Sequence, residues 1–220
     1  MTYGPADLAA DLGLPPAAVD RLKVHFGLLT AWSPKINLIG PSELQHYWRR
    51  HALDCAQLVA HAPGARTWLD LGSGAGFPGL VIAAVLAGEE GERPCRVDLV
   101  EQNAKKAAFL REAAREMQVS ARVLPVKHQS LDPQERYDVL TARALAPLSR
   151  LIPHAKPWLD RGALGIFPKG ADYGSELQAA GFSLGGERQW GWENLEADVL
   201  ESLSDPDARI VRIRAVESEA

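Results

Sequence analysis

The chain has 220 residues, 46% of them hydrophobic and 24% charged, which is the make-up of a soluble globular protein able to bury one substantial core. Its longest apolar run, Gly79 to Ala87, is far short of the roughly 20 residues of a membrane span, and its start, MTYGPADLAADLG, lacks a basic stretch followed by an apolar one, so neither a membrane nor export is expected. The net charge of −4 divides unevenly: residues 1–170 carry +3, whereas residues 171–220 hold 4 Lys/Arg against 11 Asp/Glu, a distribution that leaves room for a local basic face toward a polyanion. Cys55 and Cys95 lie 40 positions apart with no CxxC pair or histidine cluster, so reduced thiols are expected, with neither a disulfide framework nor a metal site.

In chain order, residues 1–66 read as a small helical extension. Val19, Leu22, Phe26 and Leu29 fall at helical spacing after Pro15-Pro16. Leu44, Tyr47, Trp48, His51, Cys55 and Leu58 repeat the pattern after Pro41-Ser42, so two helices joined by SPKINLIGPS are predicted. From Thr67 the pattern changes to short apolar strands alternating with amphipathic helices, which predicts an α/β domain over 67–220 with a parallel sheet. The predicted strands are Thr67–Leu71, Arg96–Glu101, Ala121–Val126, Tyr137–Ala142, Ala163–Phe167 and Arg209–Val216, the last alternating as a less buried edge strand would.

The first of these strands runs into TWLDLGSGAGFPGL, where Gly72, Gly74 and Gly76 let backbone approach a ligand that Cβ atoms would push away. A triphosphate loop needs GxxxxGK(S/T), and no such lysine follows. A dinucleotide fingerprint needs GxGxxG, but Phe77 stands where its third glycine belongs, so the spacing is GxGxG. Asp70 beside the turn would repel a pyrophosphate and suits a cationic sulfonium amino acid, which favours S-adenosylmethionine held by Asp70, Gly72, Ser73, Gly74, Gly76 and Phe77. Glu101, just past the second strand, is placed to accept hydrogen bonds from two ribose hydroxyls, and the third strand leads to His128 and Gln129 on the adenine side.

DLGSGAGFPGL, VEQNAKKAAFLRE, TARALAPLSRLI and FPKG, with KINLIG and RRHALD upstream, together resemble the bacterial ribosomal RNA small-subunit methyltransferase G family, RsmG, formerly GidB. The resemblance spans most of the chain. It implies a class I S-adenosylmethionine-dependent methyltransferase fold, Rossmann-like with a mostly parallel seven-stranded sheet, beside the small helical extension. It also implies a cytoplasmic enzyme that methylates N7 of the guanosine conventionally numbered 527 in 16S rRNA, within the small subunit or an assembly intermediate.

The residues agree with that chemistry. The fourth strand leads into Thr141-Ala142-Arg143-Ala144, without the Asn/Asp-Pro-Pro-aromatic motif common in exocyclic amine methylation, and neither cysteine sits where a pyrimidine-attacking nucleophile belongs. Guanine N7 carries an in-plane lone pair and needs alignment and dryness rather than a base, so direct displacement without a covalent intermediate is expected. Arg143 and Lys169 follow the fourth and fifth strands, at the sheet edge where ligands bind, and the resemblance implies that both contact RNA and matter for catalysis. A donor on N7 would block the nucleophile, so contacts to O6 or phosphate are predicted for them, with Arg143 also bordering the cofactor. Arg49, Arg50 and His51, with Asn37, are the further candidates in the upstream helices: they either extend the RNA surface, as is read for Asn37, Arg50 and His51, or anchor the helices to the core, a role at least as expected for His51 with Asp54 three positions later. Trp190 and Trp192 are expected to be local core, and a monomer is expected. Pro168 departs from the aliphatic residue usual in the family and requires a strand end or edge.

Overall fold

The computed structural model describes residues 3–88, 95–182, 192 and 194–216. Its helical segment begins with α1 (Pro5–Leu12), stopped by Gly13 in the left-handed region, and α2 (Pro16–Ile36), stopped by Asn37 at φ 52°. Two sequence expectations change here. A first helix, α1, went unrecognised because eight residues carry little periodicity, and α2 absorbs SPKI of the predicted linker because Pro34 is tolerated in its last turn. The second predicted helix is four short pieces: α3 (Pro41–Leu44), a wide π-type turn (Tyr47–Leu53), α4 (Asp54–Ala56) and a 3-10 turn (Gln57–His61). Such a widened turn is a frequent feature of functional sites, and here it carries Tyr47, His51, Ala52 and Leu53 into the interior.

The remaining elements are β1 (Thr67–Leu71), α5 (Gly79–Leu86), β2 (Arg96–Val100), α6 (Ala104–Glu116), β3 (Ala121–Leu124), β4 (Val139–Thr141), α7 (Leu148–Leu159), β5 (Leu164–Lys169), α8 (Tyr173–Ala179), β6 (Leu195–Glu201) and β7 (Arg209–Ala215). They form a seven-stranded sheet in the order β3-β2-β1-β4-β5-β7-β6, with β1 to β5 parallel and β7 antiparallel to both neighbours. The strand order reverses beside β1, so the loops leaving β1 and β4 open a crevice at the C-terminal sheet edge.

The edge strand is β6 and not β7, contrary to the sequence reading. LEADVLE alternates acids with apolar residues and shows no continuous apolar run; it becomes a strand by pairing with β7, where Glu196 faces Arg214 and Asp198 faces Arg212. Sheltered between β5 and β6, β7 buries Ile210, Val211 and Ile213. Pro168 pairs with Ile210 of β7, beyond Ile166, the last β5 residue in register with β4, so its missing N–H costs no bond to β4.

One face of the sheet packs Trp68, Leu80, Ile82 and Phe109 together with Leu8, Leu22, Leu29, Tyr47 and Leu58, so residues of the helical segment share a single core with β1, α5 and α6. The other face is covered by α7 and α8 through Leu148, Leu151, Ile152, Trp158 and Leu177. Trp192 joins that second core, its Nε1 donating to the Ala180 carbonyl at 3.0 Å, while Trp190 lies outside the described residues.

Candidate active site

The glycine turn leaves β1 and enters α5 through Gly72, Gly74 and Gly76, all at positive φ (74°, 54° and 93°). Two of them are also sterically closed: a Cβ would come within 2.7 Å of a Leu145 methyl at Gly72 and 2.6 Å of a Leu80 methyl at Gly76. Gly74 has room for a side chain, and its N–H donates to Glu101 at 3.0 Å. The other Glu101 oxygen accepts from the Asn103 N–H at 2.7 Å, while Asn103 itself caps α6 by accepting from Lys105 and Lys106. Each Glu101 oxygen thus keeps a lone pair, enough to accept from a pair of ribose hydroxyls at the end of β2. A backbone cradle cleared of side chains next to such a carboxylate fits an adenosyl ligand.

Three predicted cofactor contacts turn inward instead. Asp70 is fully buried, accepting from the Gly79 N–H at 3.0 Å and the Thr141 hydroxyl at 3.2 Å, so it ties the turn and β4 together rather than facing a ligand. Burial raises its pKa to about 6, against the lowering effect of those hydrogen bonds. The Ser73 hydroxyl donates back to the Asp70 carbonyl, leaving only backbone to the cradle. Phe77 buries its ring in the helical segment, stacked on His51 at 4.7 Å and met edge-on by His25 at 5.3 Å. On the adenine side, Gln129 is exposed, while the His128 ring packs against His154 of α7, 4.3 Å between centroids.

Beside the turn, a cleft of about 540 Å³ is bounded by the π-type turn, the loop between β4 and α7, the end of β5 and the loop between β6 and β7. Arg143, Lys169, Arg50 and His51 all line it, and Asn37 does not. Asn37 is the exposed cap of α2, its N–H donating to Ser33 O. The two expected reader cations are held by the protein itself. The Arg143 guanidinium lies over the Phe77 ring and donates to the Arg50 carbonyl at 3.2 Å, to Asp54 at 3.1 Å and to His51 Nδ1. Lys169 bonds Glu176 at 2.8 Å and the Ala146 carbonyl at 3.1 Å, and Glu176 also accepts from the Leu148 N–H, so this cluster sets the path of the loop entering α7. Ala144, directly after Arg143, sits at φ 54°, a conformation a non-glycine residue adopts only when its neighbours impose it.

His51 is neutral, its pKa lowered to about 3 by burial and by the adjacent Arg143 charge. Because Arg143 donates to Nδ1, the ring proton resides on Nε2. Asp54 accepts a second hydrogen bond from Ser204 at 2.8 Å, and Arg49 donates to the Ser204 carbonyl at 3.1 Å, which anchors the β6–β7 loop to the helical segment. Arg50 and Arg150 are the exposed cations of the cleft wall, Arg50 within 3.7 Å of Glu43. Glu176 and Ser204 were absent from the sequence reading, since their partners lie as far as 150 positions away and leave no local pattern.

The family described as rRNA small subunit methyltransferase G matches residues 19–187. The chain belongs to that family. Ribosomal RNA small subunit methyltransferase G of Methylobacterium radiotolerans is 44% identical over 212 residues, covering 96% of this chain and 94% of the relative. The same-named protein of Cereibacter sphaeroides is 43% identical, covering 94% and 95%. Among solved structures, a mutant of MtNAS in complex with S-adenosylmethionine superposes with a TM-score of 0.59 at 15% identity, covering 98% of this chain and 85% of that one. The S-adenosylhomocysteine-bound Podospora anserina methyltransferase PaMTH1 also reaches 0.59, at 13% identity, covering 96% and 93%. The fold is that of class I methyltransferases, the cofactor of the family member described here is S-adenosylmethionine, and its reaction is methylation of ribosomal RNA. Among the described residues, no helix is long and apolar enough to cross a membrane and no cluster of three or more potential metal ligands occurs.

Proposed function

We propose that this chain methylates N7 of guanosine 527 of 16S rRNA, as a cytoplasmic monomer acting on the small subunit or an assembly intermediate, by direct in-line displacement. The observation that carries the reading is the pair of cations in the cleft wall, Arg143 and Lys169, each held in place by a carboxylate partner, beside a neutral histidine and an inert thiol. His51 is neutral with Nδ1 occupied, and Asp54 and Glu176 are spent on Arg143 and Lys169. The Cys55 thiol is fully buried and pushed up to about 12 by that burial, which leaves it inert. S-adenosylmethionine supplies an electrophilic methyl group on a sulfonium centre. An acceptor with its own lone pair, such as guanine N7, then needs only orientation and exclusion of water.

In this reading Arg143 and Lys169 act by holding the cleft walls and presenting positive charge toward the base and its phosphate. Exposed Arg50 and Arg150 neutralise backbone phosphates on either side, while buried His51 holds Arg143 in place from behind. The protein is incubated with labelled S-adenosylmethionine and, separately, naked 16S rRNA, an assembly intermediate and small subunits, and the product nucleoside is mapped by mass spectrometry. N7-methylguanosine at position 527 is expected from at least one substrate. Its absence from every one, or methylation at another position, overturns the proposal.

A further inference from the structure

His25 lies on α2, 50 positions before the glycine turn, yet its Nε2 is 2.9 Å from the Ala75 carbonyl, inside that turn. The ring is fully buried, and its Nδ1 is 3.1 Å from the Tyr47 hydroxyl, which is itself buried and within 3.1 Å of the Leu22 carbonyl. A carbonyl only accepts, so Nε2 carries the ring proton and donates to Ala75. Burial holds the imidazole neutral, with a pKa lowered to about 4, and leaves Nδ1 as a lone pair beside the Tyr47 hydroxyl, whose single proton is directed at the Leu22 carbonyl.

The peptide joining Ala75 to Gly76 is thereby held at both ends: its N–H donates to the Ser73 carbonyl at 2.7 Å and its C=O accepts from His25. This matters because the turn contains Gly72, Gly74 and Gly76, whose backbones carry little intrinsic preference for one conformation. The next residue is braced from the same side, Phe77 packing against His25, Tyr47 and His51. A cradle built of backbone groups binds tightly only if its peptide planes are ordered before the ligand arrives.

We infer that His25 is a positioning residue for S-adenosylmethionine: reaching across from the helical segment, it sets the Ala75–Gly76 peptide plane and so contributes to cofactor affinity without touching the cofactor. The helical segment then does two jobs, walling the acceptor cleft with His51 and Asp54 and stiffening the cofactor turn from behind with His25 and Tyr47.

The test compares His25→Gln, whose side-chain amide reaches about as far as Nε2 and retains a donor to Ala75, with His25→Phe, which fills the space and has none. Calorimetry with S-adenosylhomocysteine is expected to show about tenfold weaker binding for His25→Phe and a change within about twofold for His25→Gln. The KM for S-adenosylmethionine should follow the same order with kcat little changed, and the affinity for 16S rRNA should not move. Equal affinity in wild type and His25→Phe overturns the inference, as does an equal loss in both variants. If His25→Phe does not fold, His25→Asn replaces it: its shorter amide stops near the Nδ1 position, and it must bind S-adenosylhomocysteine more weakly than His25→Gln for the inference to stand.

Discussion

The glycine turn and the cleft beside it lie at the same sheet edge but are held by different forces. The turn is set by sterics and backbone bonds within a few residues: positive φ at three glycines, a Cβ excluded at Gly76, and Asp70 gripping the Gly79 N–H. The cleft wall is set by buried charge drawn from four separate parts of the chain, with Asp54 bridging Arg143 and Ser204 and Glu176 bridging Lys169 and Leu148. A steric device tolerates almost no substitution, whereas an electrostatic one tolerates an isostere that keeps its hydrogen bonds.

The largest expected effect is at the steric end. Gly79→Ala would place a methyl 2.2 Å from Leu99 Cδ2 and 2.6 Å from Asp70 Oδ2, breaking the junction of β1, the turn and α5. Urea unfolding should show a loss on the order of 4 kcal/mol together with lost binding of S-adenosylhomocysteine. A near-neutral result would mean that the turn is not sterically closed.

At the cleft, Asp54→Ala leaves the Arg143 guanidinium with its charge uncompensated, at 19% side-chain exposure, and is expected to cost about 3 kcal/mol. Asp54→Asn, which still accepts one hydrogen bond, should cost about half of that. Equal losses would erase the distinction between the two regions.

Acid acts on both through their histidines. His25 and His51 have pKa values lowered to about 4 and about 3, so as pH falls below 6.5 the unfolded chain takes up protons there that the folded chain does not. Their contribution is complete above about pH 6.5 and is lost on acidification. Asp70, raised to about 6, and Asp54, also raised by burial, work in the opposite direction. The clean measurement is therefore a difference: from pH 7 to pH 5 the stability of His25→Gln should fall by about 2 kcal/mol less than that of the wild type. Parallel pH profiles would mean that His25 titrates normally in the folded protein.

The turn was legible in sequence because its signals are local. The glycine spacing, the strand before it and the acid after the next strand all lie within 35 positions, and strand, turn and carboxylate appear where that order predicts. The strand β6 was not legible, since an edge strand of alternating acids and apolar residues acquires its identity from the arginines of β7. Nor could spacing show that the helical segment is a structural partner of the cofactor turn, because His25, Tyr47 and His51 look like ordinary members of amphipathic runs.

From sequence alone came the parallel sheet, the cradle for an adenosyl ligand and the family resemblance, since backbone conformation at glycine and the periodicity of strands and helices depend on residues close along the chain. Only the tertiary structure decided which way the polar head groups turn. Asp70 and Ser73 face inward, Arg143 and Lys169 are gripped by partners 89 and 7 positions away, and a histidine of α2 reaches the cofactor turn. A buried polar group takes whatever partner the packed fold brings within about 3 Å, and that choice is made across space, not along the chain.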